Sequence, residues 1–309
     1  MSPPLIDPAV LARPIGVFDS GVGGLTVLRA LRARLAHERF VYLGDTARLP
    51  YGTKSADTVV RYALQAADRL VRCEVKALVV ACNTASSVAL PAMRRRFDGL
   101  PVIGVVEPGA QAAAAASASG RIAVIGTEAT VRQGAYQRAI VALRPDAQVL
   151  AVACQLFVAL AEEGWTEGPV AQAAAQRYLT PLFDGHNARD EPPLADTLVL
   201  GCTHFPMLAA VIRDVVGVRV AIVNSADTTA SATEALLRER GLLAEDGALP
   251  SAAGDRVPGA TGPGAAASGA ASGVPLRLLA TDGAARFAAV GARFLGRPIA
   301  AEEVELIDL

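Results

Sequence analysis

The sequence predicts an α/β protein of two pseudo-symmetric lobes, with mainly parallel sheets flanked by helices and a working cleft between the lobes. Three observations predict it. Short Val- and Ile-rich runs alternate with longer segments of helical periodicity, the pattern of strands joined by crossover helices. A segment of strand, cysteine and helix start in the first half of the chain recurs in the second half. The length of 309 residues accommodates two units of roughly 150 residues each.

Taken in order, the first apolar run covers 15–18 and meets Asp19-Ser20-Gly21-Val22-Gly23-Gly24, after which Leu25, Leu28 and Leu31 share one helical face. Further strands are predicted over 40–43, 77–81, 102–105, 122–125, 149–153, 197–200, 220–223 and 276–279. Helical periodicity predicts helices over 55–71, 86–96, 133–143, 168–183, 205–215 and 230–240. The stretch 247–274 is almost wholly Ala, Gly, Ser, Pro and Thr. It has few large side chains to offset the entropy of ordering and reads as a flexible surface insertion.

Composition narrows the functions. Hydrophobic residues make up 52% but aromatics only 5%, so burial rests on Val, Leu, Ile and Ala. Twenty-nine basic against 30 acidic residues leave a net charge of −1, which argues against a nucleic-acid surface built on phosphate neutralisation. No apolar run approaches the ~20 residues that cross a bilayer, and Met1-Ser2-Pro3-Pro4 has none of the regions of a signal peptide, so no membrane association and a cytoplasmic location are expected. The four cysteines, Cys73, Cys82, Cys154 and Cys202, are too sparse for a disulfide framework and read as thiols in a reducing compartment.

The recurring segment singles out two of them. Lys76-Ala77-Leu78-Val79-Val80-Ala81-Cys82-Asn83-Thr84-Ala85 resembles Asp196-Thr197-Leu198-Val199-Leu200-Gly201-Cys202-Thr203-His204-Phe205. A weaker echo links 15–20 with 123–128. Each lobe thus presents one cysteine at the C-terminal end of a strand, where parallel α/β sheets bind ligands. A helix start favours thiolate over thiol and lowers the ordinary value of about 8.5. Two such cysteines on opposite sides of a cleft suit two-base racemisation: a thiolate takes a proton from one face of a carbon and a thiol returns one to the other.

Other readings compete. A cysteine after a buried strand is commonly a small core hydrophobe, and Cys73 and Cys154 are assigned to packing. Cys82, Cys202 and His204 are soft ligands that zinc would accept, although close-spaced Cys or His pairs are otherwise absent. A pyridoxal enzyme needs a Schiff-base lysine, and neither Lys54 nor Lys76 is placed to serve. A binding protein for an anionic amino acid would use the same cleft without proton exchange. The loop 19–24 is neither a dinucleotide nor a Walker motif, but its amides suit a carboxylate. Tyr51 and Gly52, and Asn83 and Thr84, would add donors.

The motifs Gly16-Val17-Phe18-Asp19-Ser20-Gly21-Val22-Gly23-Gly24-Leu25-Thr26, Gly44-Asp45-Thr46-Ala47-Arg48-Leu49-Pro50-Tyr51-Gly52-Thr53-Lys54-Ser55, Ala81-Cys82-Asn83-Thr84-Ala85-Ser86, Gly104-Val105-Val106-Glu107-Pro108-Gly109, Gly126-Thr127-Glu128-Ala129-Thr130 and Gly201-Cys202-Thr203-His204-Phe205-Pro206 run in order through most of 14–240. Together they resemble the glutamate racemases, cofactor-independent cysteine enzymes that make D-glutamate for bacterial peptidoglycan. The resemblance implies that Cys82 deprotonates D-glutamate and Cys202 L-glutamate, with no metal. It implies that Asp19 assists the first cysteine, and that His204 and a glutamate, Glu162 or its neighbour Glu163, assist the second. Substrate contacts would fall on Asp19, Ser20, Tyr51, Gly52, Asn83, Thr84, Thr203 and His204. It further implies a first lobe of 1–108 plus 221–309, a second lobe of 109–220, and a homodimer. Gln155 and Ala159 stand where prolines are frequent, and Thr281-Asp282-Gly283 replaces a more usual Thr-Gly-Asp.

Overall fold

The structure, a computed structural model, describes residues 7–183, 195–244 and 275–309; the expected insertion at 247–274 lies outside them. Ten strands are present among the described residues: β1 (Ile15–Asp19), β2 (Phe40–Gly44), β3 (Ala77–Val80), β4 (Val102–Gly104), β5 (Arg121–Gly126), β6 (Gln148–Ala153), β7 (Thr197–Gly201), β8 (Ala221–Asn224), β9 (Leu276–Ala280) and β10 (Val304–Leu306). They form two sheets, ordered β10-β9-β2-β1-β3-β4 and β6-β5-β7-β8, with every pairing parallel.

The orders explain the sequence echo. Within the first sheet β2-β1-β3-β4 runs in the same order as β6-β5-β7-β8 in the second, so β3 and β7, which precede the two cysteines, occupy equivalent positions. Most of these strands are buried along their length. This follows from helices covering both faces, and it is why the strands read as continuous apolar runs rather than alternating ones.

One expected boundary shifts. β8 hydrogen-bonds to β7 in register from Thr197 opposite Ala221 to Leu200 opposite Asn224, so the second sheet continues past residue 220 and the return to the first lobe comes after Asn224. The helix Ser225–Glu239 then packs against Leu25–Arg34 of the first lobe and Val106–Ala116 of the second. The expected helix 86–96 is two, Asn83–Val88 and Leu90–Arg96. Pro91 at the start of the second has no N–H to continue the helical ladder. The expected helix 205–215 begins as a 3-10 turn, Phe205–Leu208, with Pro206 in it.

The largest buried cluster joins the lobes. Val17 and Leu25 from the first sheet and its following helix share it with Ile125, Leu198 and Phe205 from the second. Lys76 is buried against Glu38 at 2.6 Å and donates to the Leu11 carbonyl at 2.7 Å, so it braces the N-terminal segment at the strand's entry end. No helix among the described residues is long and apolar enough to cross a membrane.

Candidate active site

Both cysteines line one cleft of about 500 Å³, part of it open to solvent. Ser20, Tyr51, Gly52, Cys82, Asn83 and Thr84 form one wall with Gly21, Leu49 and Pro50. Glu162, Cys202, Thr203 and His204 form the other with Thr127, Gln155 and Val158. Asp19 is the exception among the expected residues: it is buried and does not line the cleft. At the end of β1 its carboxylate turns back to accept from the Gly21 N–H at 3.0 Å, so its influence on the cleft is electrostatic.

Cys82 caps the helix Asn83–Val88, its sulfur accepting from the Ala85 N–H at 3.5 Å. The thiol donates to Ser20 Oγ, also at 3.5 Å. The helix start was expected to lower this thiol's pKa, and here the structure corrects the expectation. Burial and the nearby Asp19 carboxylate push the thiol up to about 12, outweighing the contacts from Ser20 and Ala85. Removal from water costs the thiolate more than one short helix's dipole restores. Asp19 itself is raised by burial, against the pull of His204 and the backbone N–H groups around it.

The Cys202 side is built differently. Cys202 Sγ lies 3.8 Å from His204 Nδ1, and His204 Nε2 lies 3.2 Å from Glu162 Oε1. Glu163 is exposed, and Glu162 is the carboxylate of the two that meets His204. Burial works against charge on His204, but hydrogen bonds to Cys202 and Glu162 and the charges of Cys202 and Asp19 prevail and hold the imidazole up at about 10. Glu162 is held low, first by His204 and further by Arg286, 3.3 Å from its Oε2. The result is a chain of alternating charge, Arg286 to Glu162 to His204, ending at the Cys202 sulfur.

Each cysteine loop is held by the opposite lobe. Thr26 donates to the Thr203 carbonyl at 3.0 Å, and the His204 ring packs edge-on to Phe294 with centroids 5.1 Å apart. On the other side Thr84 Oγ1 meets Thr127 Oγ1 at 2.9 Å and Thr130 Oγ1 at 3.3 Å. Tyr51 is fixed by its hydroxyl donating to Asp45, which also accepts from Arg48 at 2.7 Å and from Thr281 at 3.0 Å. The variant Thr281-Asp282-Gly283 segment therefore supports the Tyr51 loop instead of disrupting it. Cys154 is fully buried near Cys202, and Cys73 lies beside Arg69 and Arg277; neither lines the cleft. No group of three or more His, Cys, Asp or Glu among the described residues is arranged to hold a metal ion.

Leu49, Pro50, Thr127, Gln155 and Val158 line the wall without having been expected as site residues. The weaker echo pointed at Thr127, which aligns with Asp19; Leu49 and Pro50 lie in a motif of the resemblance; Gln155 stood out only where prolines are frequent; and nothing marked Val158.

This placement of paired cysteines at equivalent strand ends coincides with a family match. The profile of the Asp/Glu/Hydantoin racemase family matches residues 24–235, more than half of the chain. The chain belongs to that family. Among its relatives, the glutamate racemase of Geobacter metallireducens is 51% identical over 231 residues, 75% of this chain and 82% of that protein. The glutamate racemase of Syntrophus aciditrophicus is 42% identical over 294 residues, 95% of this chain and 97% of the relative. Among solved structures, glutamate racemase isoform RacE1 from Bacillus anthracis matches with a TM-score of 0.80 at 33% identity, covering 96% of this chain and 98% of that one. The glutamate racemase of Francisella tularensis in complex with D-glutamate matches with a TM-score of 0.78 at 31% identity and the same coverage.

Proposed function

We propose that this protein is a glutamate racemase that interconverts L- and D-glutamate with Cys82 and Cys202 as its two bases, and that it supplies D-glutamate for peptidoglycan. The observation that carries the reading is the pair of cysteines at equivalent strand ends lining one cleft, together with relatives named as glutamate racemases over nearly the whole chain.

The two sulfurs sit in unequal settings. Burial and the Asp19 carboxylate push Cys82 up to about 12, so it rests as a thiol, whereas Cys202 lies 3.8 Å from the charged His204 ring. With Cys202 as the base, the reaction starts from L-glutamate. The Cys202 thiolate takes the α-proton, the C–H electron pair is left on the α-carbon and delocalised into the carboxylate, and the Cys82 thiol delivers its proton to the opposite face. The product is D-glutamate, with the thiolate now on Cys82 and the thiol on Cys202. D-Glutamate reacts with this second form by the same steps reversed. The α-carbon is a very weak acid, so donors from Ser20, Asn83, Thr84 and Thr203 are needed where carboxylate charge grows. Asp19 adds to burial in raising the proton affinity of Cys82, and Glu162 holds His204 beside Cys202.

Incubating the purified protein with L-glutamate, L-aspartate and a hydantoin in parallel tests the reading. Racemisation of glutamate alone, lost in both Cys82→Ser and Cys202→Ser, is expected. Preference for another substrate, or full activity in either variant, overturns it.

A further inference from the structure

The helix Ala135–Leu143 follows Gly134, whose φ of 63° lies in the left-handed region that favours glycine. The turn sends Tyr136 into the interior of the second lobe, where it is 1% exposed among Val106, Ala110, Ile122 and Val199. Two glycines shape its slot. A Cβ on Gly109 would lie 3.0 Å from one edge of the ring, and a Cβ on Gly201 3.2 Å from the other. A phenol buried this deeply requires a hydrogen-bond partner, and Tyr136 finds it in the other lobe: its hydroxyl donates to Asn83 Oδ1 at 2.7 Å.

That bond decides how Asn83 faces the cleft. Asn83 is 3% exposed and lines the cleft beside Cys82, and its Nδ2 is buried with no partner in the protein. An amide whose carbonyl is engaged by a hydroxyl must turn its NH2 group the other way. An unpaired buried donor is costly, so a group of this kind is kept for something that accepts from it. Nothing else among the described hydrogen bonds orients the Asn83 side chain.

We infer that Tyr136 is a positioning residue: by accepting no other role than donor to Asn83 Oδ1, it locks that amide so that Nδ2 is offered to a carboxylate of the bound amino acid. The inference rests on the proposed glutamate reading. Tyr136 touches no reacting atom and acts only through Asn83. The same bond ties the first lobe's cysteine loop to the second lobe's core, so the donor is in place only when the lobes are docked.

The test is a double-mutant cycle on the full-length protein, with Tyr136→Phe, Asn83→Ala and the pair. Phe keeps the ring in its slot and removes only the hydroxyl. Loss of the bond that aims this donor at the substrate carboxylate lowers kcat/KM for both enantiomers by about 5- to 20-fold. In the Asn83→Ala background the added Tyr136→Phe change has no further effect, because the group it orients is gone. If Asn83→Ala turns over too slowly to time, the same cycle is read from the rise in melting temperature on adding glutamate. An unchanged kcat/KM in Tyr136→Phe overturns the inference, as does an equal loss in both backgrounds, or a lower melting temperature with native kinetics. Wild-type protein inert toward glutamate would instead refute the underlying functional reading.

Discussion

Replacing Glu162 with Gln keeps the shape beside His204 and removes one charge, which makes it a direct probe of the Cys202 relay. The pair is well shielded, with side-chain exposures of 10% for His204 and 21% for Glu162. His204 is held at about 10 against an ordinary 6.5, a difference worth about 5 kcal/mol at ~1.36 kcal/mol per unit. Burial opposes it, and Cys202, Glu162 and Asp19 share in producing it. A unit charge 3.2 Å away supplies at most ~5 kcal/mol at an effective dielectric of ~20. Gln still hydrogen-bonds, so the loss is about 1.5 to 3 kcal/mol, or one to two pH units. In the proposed mechanism protonated His204 is the working form, so activity is expected below its pKa and lost above it. The alkaline limb of kcat/KM therefore moves down from near pH 10 to about pH 8 to 9. Initial rates of optical change, measured from each enantiomer across pH 6 to about 10.5, read the limb. The enantiomers are equal in free energy in water, so kcat/KM must agree in both directions at every pH, which checks the data internally. A uniform loss at all pH values with the limb unmoved would refute the relay.

Two further outcomes are expected. Gly23 lies where a Cβ would come within 2.4 Å of Thr203 Oγ1 and 2.5 Å of the His204 ring, so Gly23→Ala displaces the Cys202 loop. It should lower kcat by about 100-fold and cost about 1 to 3 kcal/mol in an unfolding titration; native kcat would show that the loop position is not critical. Asp196 accepts from Ser117 Oγ at 2.6 Å, the Ser119 N–H at 2.7 Å and Thr197 Oγ1 at 2.9 Å. Burial resists its ionisation, but these bonds hold it down at about 2, from 3.8. Its stabilisation is therefore complete above about pH 4 and lost as pH falls through about 2. Partial exposure limits it to about 1 kcal/mol, so Asp196→Asn should melt lower at pH 7 with the gap closing in acid. A gap independent of pH contradicts this.

Where the sequence was legible, the reason is physical. Parallel strands covered on both faces are continuous apolar runs, so nine of the ten strands were visible and the cysteine-bearing pair stood out by repetition. β10 was missed because three residues, Val304–Leu306, carry too little pattern. The helix Val106–Ala116 was missed because a run of alanines has no polar face to set against an apolar one. At the site, residues adjacent in sequence to a cysteine were found, since a strand end fixes their neighbours. Gln155 and Val158 come from a helix that meets the cleft only through tertiary packing. Glu162 and Glu163 are equivalent in sequence and separate only when one meets His204. The rise in the Cys82 pKa was illegible because burial depends on the whole fold, whereas the helix start that argues the other way is local.

The central claim is that two sulfurs act from opposite faces of one carbon, and isotopic labelling tests it most directly. Protein equilibrated in heavy water is given ordinary L-glutamate, the reaction is stopped at a few per cent conversion, and each enantiomer is analysed by mass spectrometry. The account predicts α-deuterium in the D-glutamate formed and α-protium in the L-glutamate recovered, with the mirror-image result from D-glutamate. Product that keeps its α-protium, or deuterium entering unreacted substrate as fast as product, would contradict it, because either result means that a single base serves both faces.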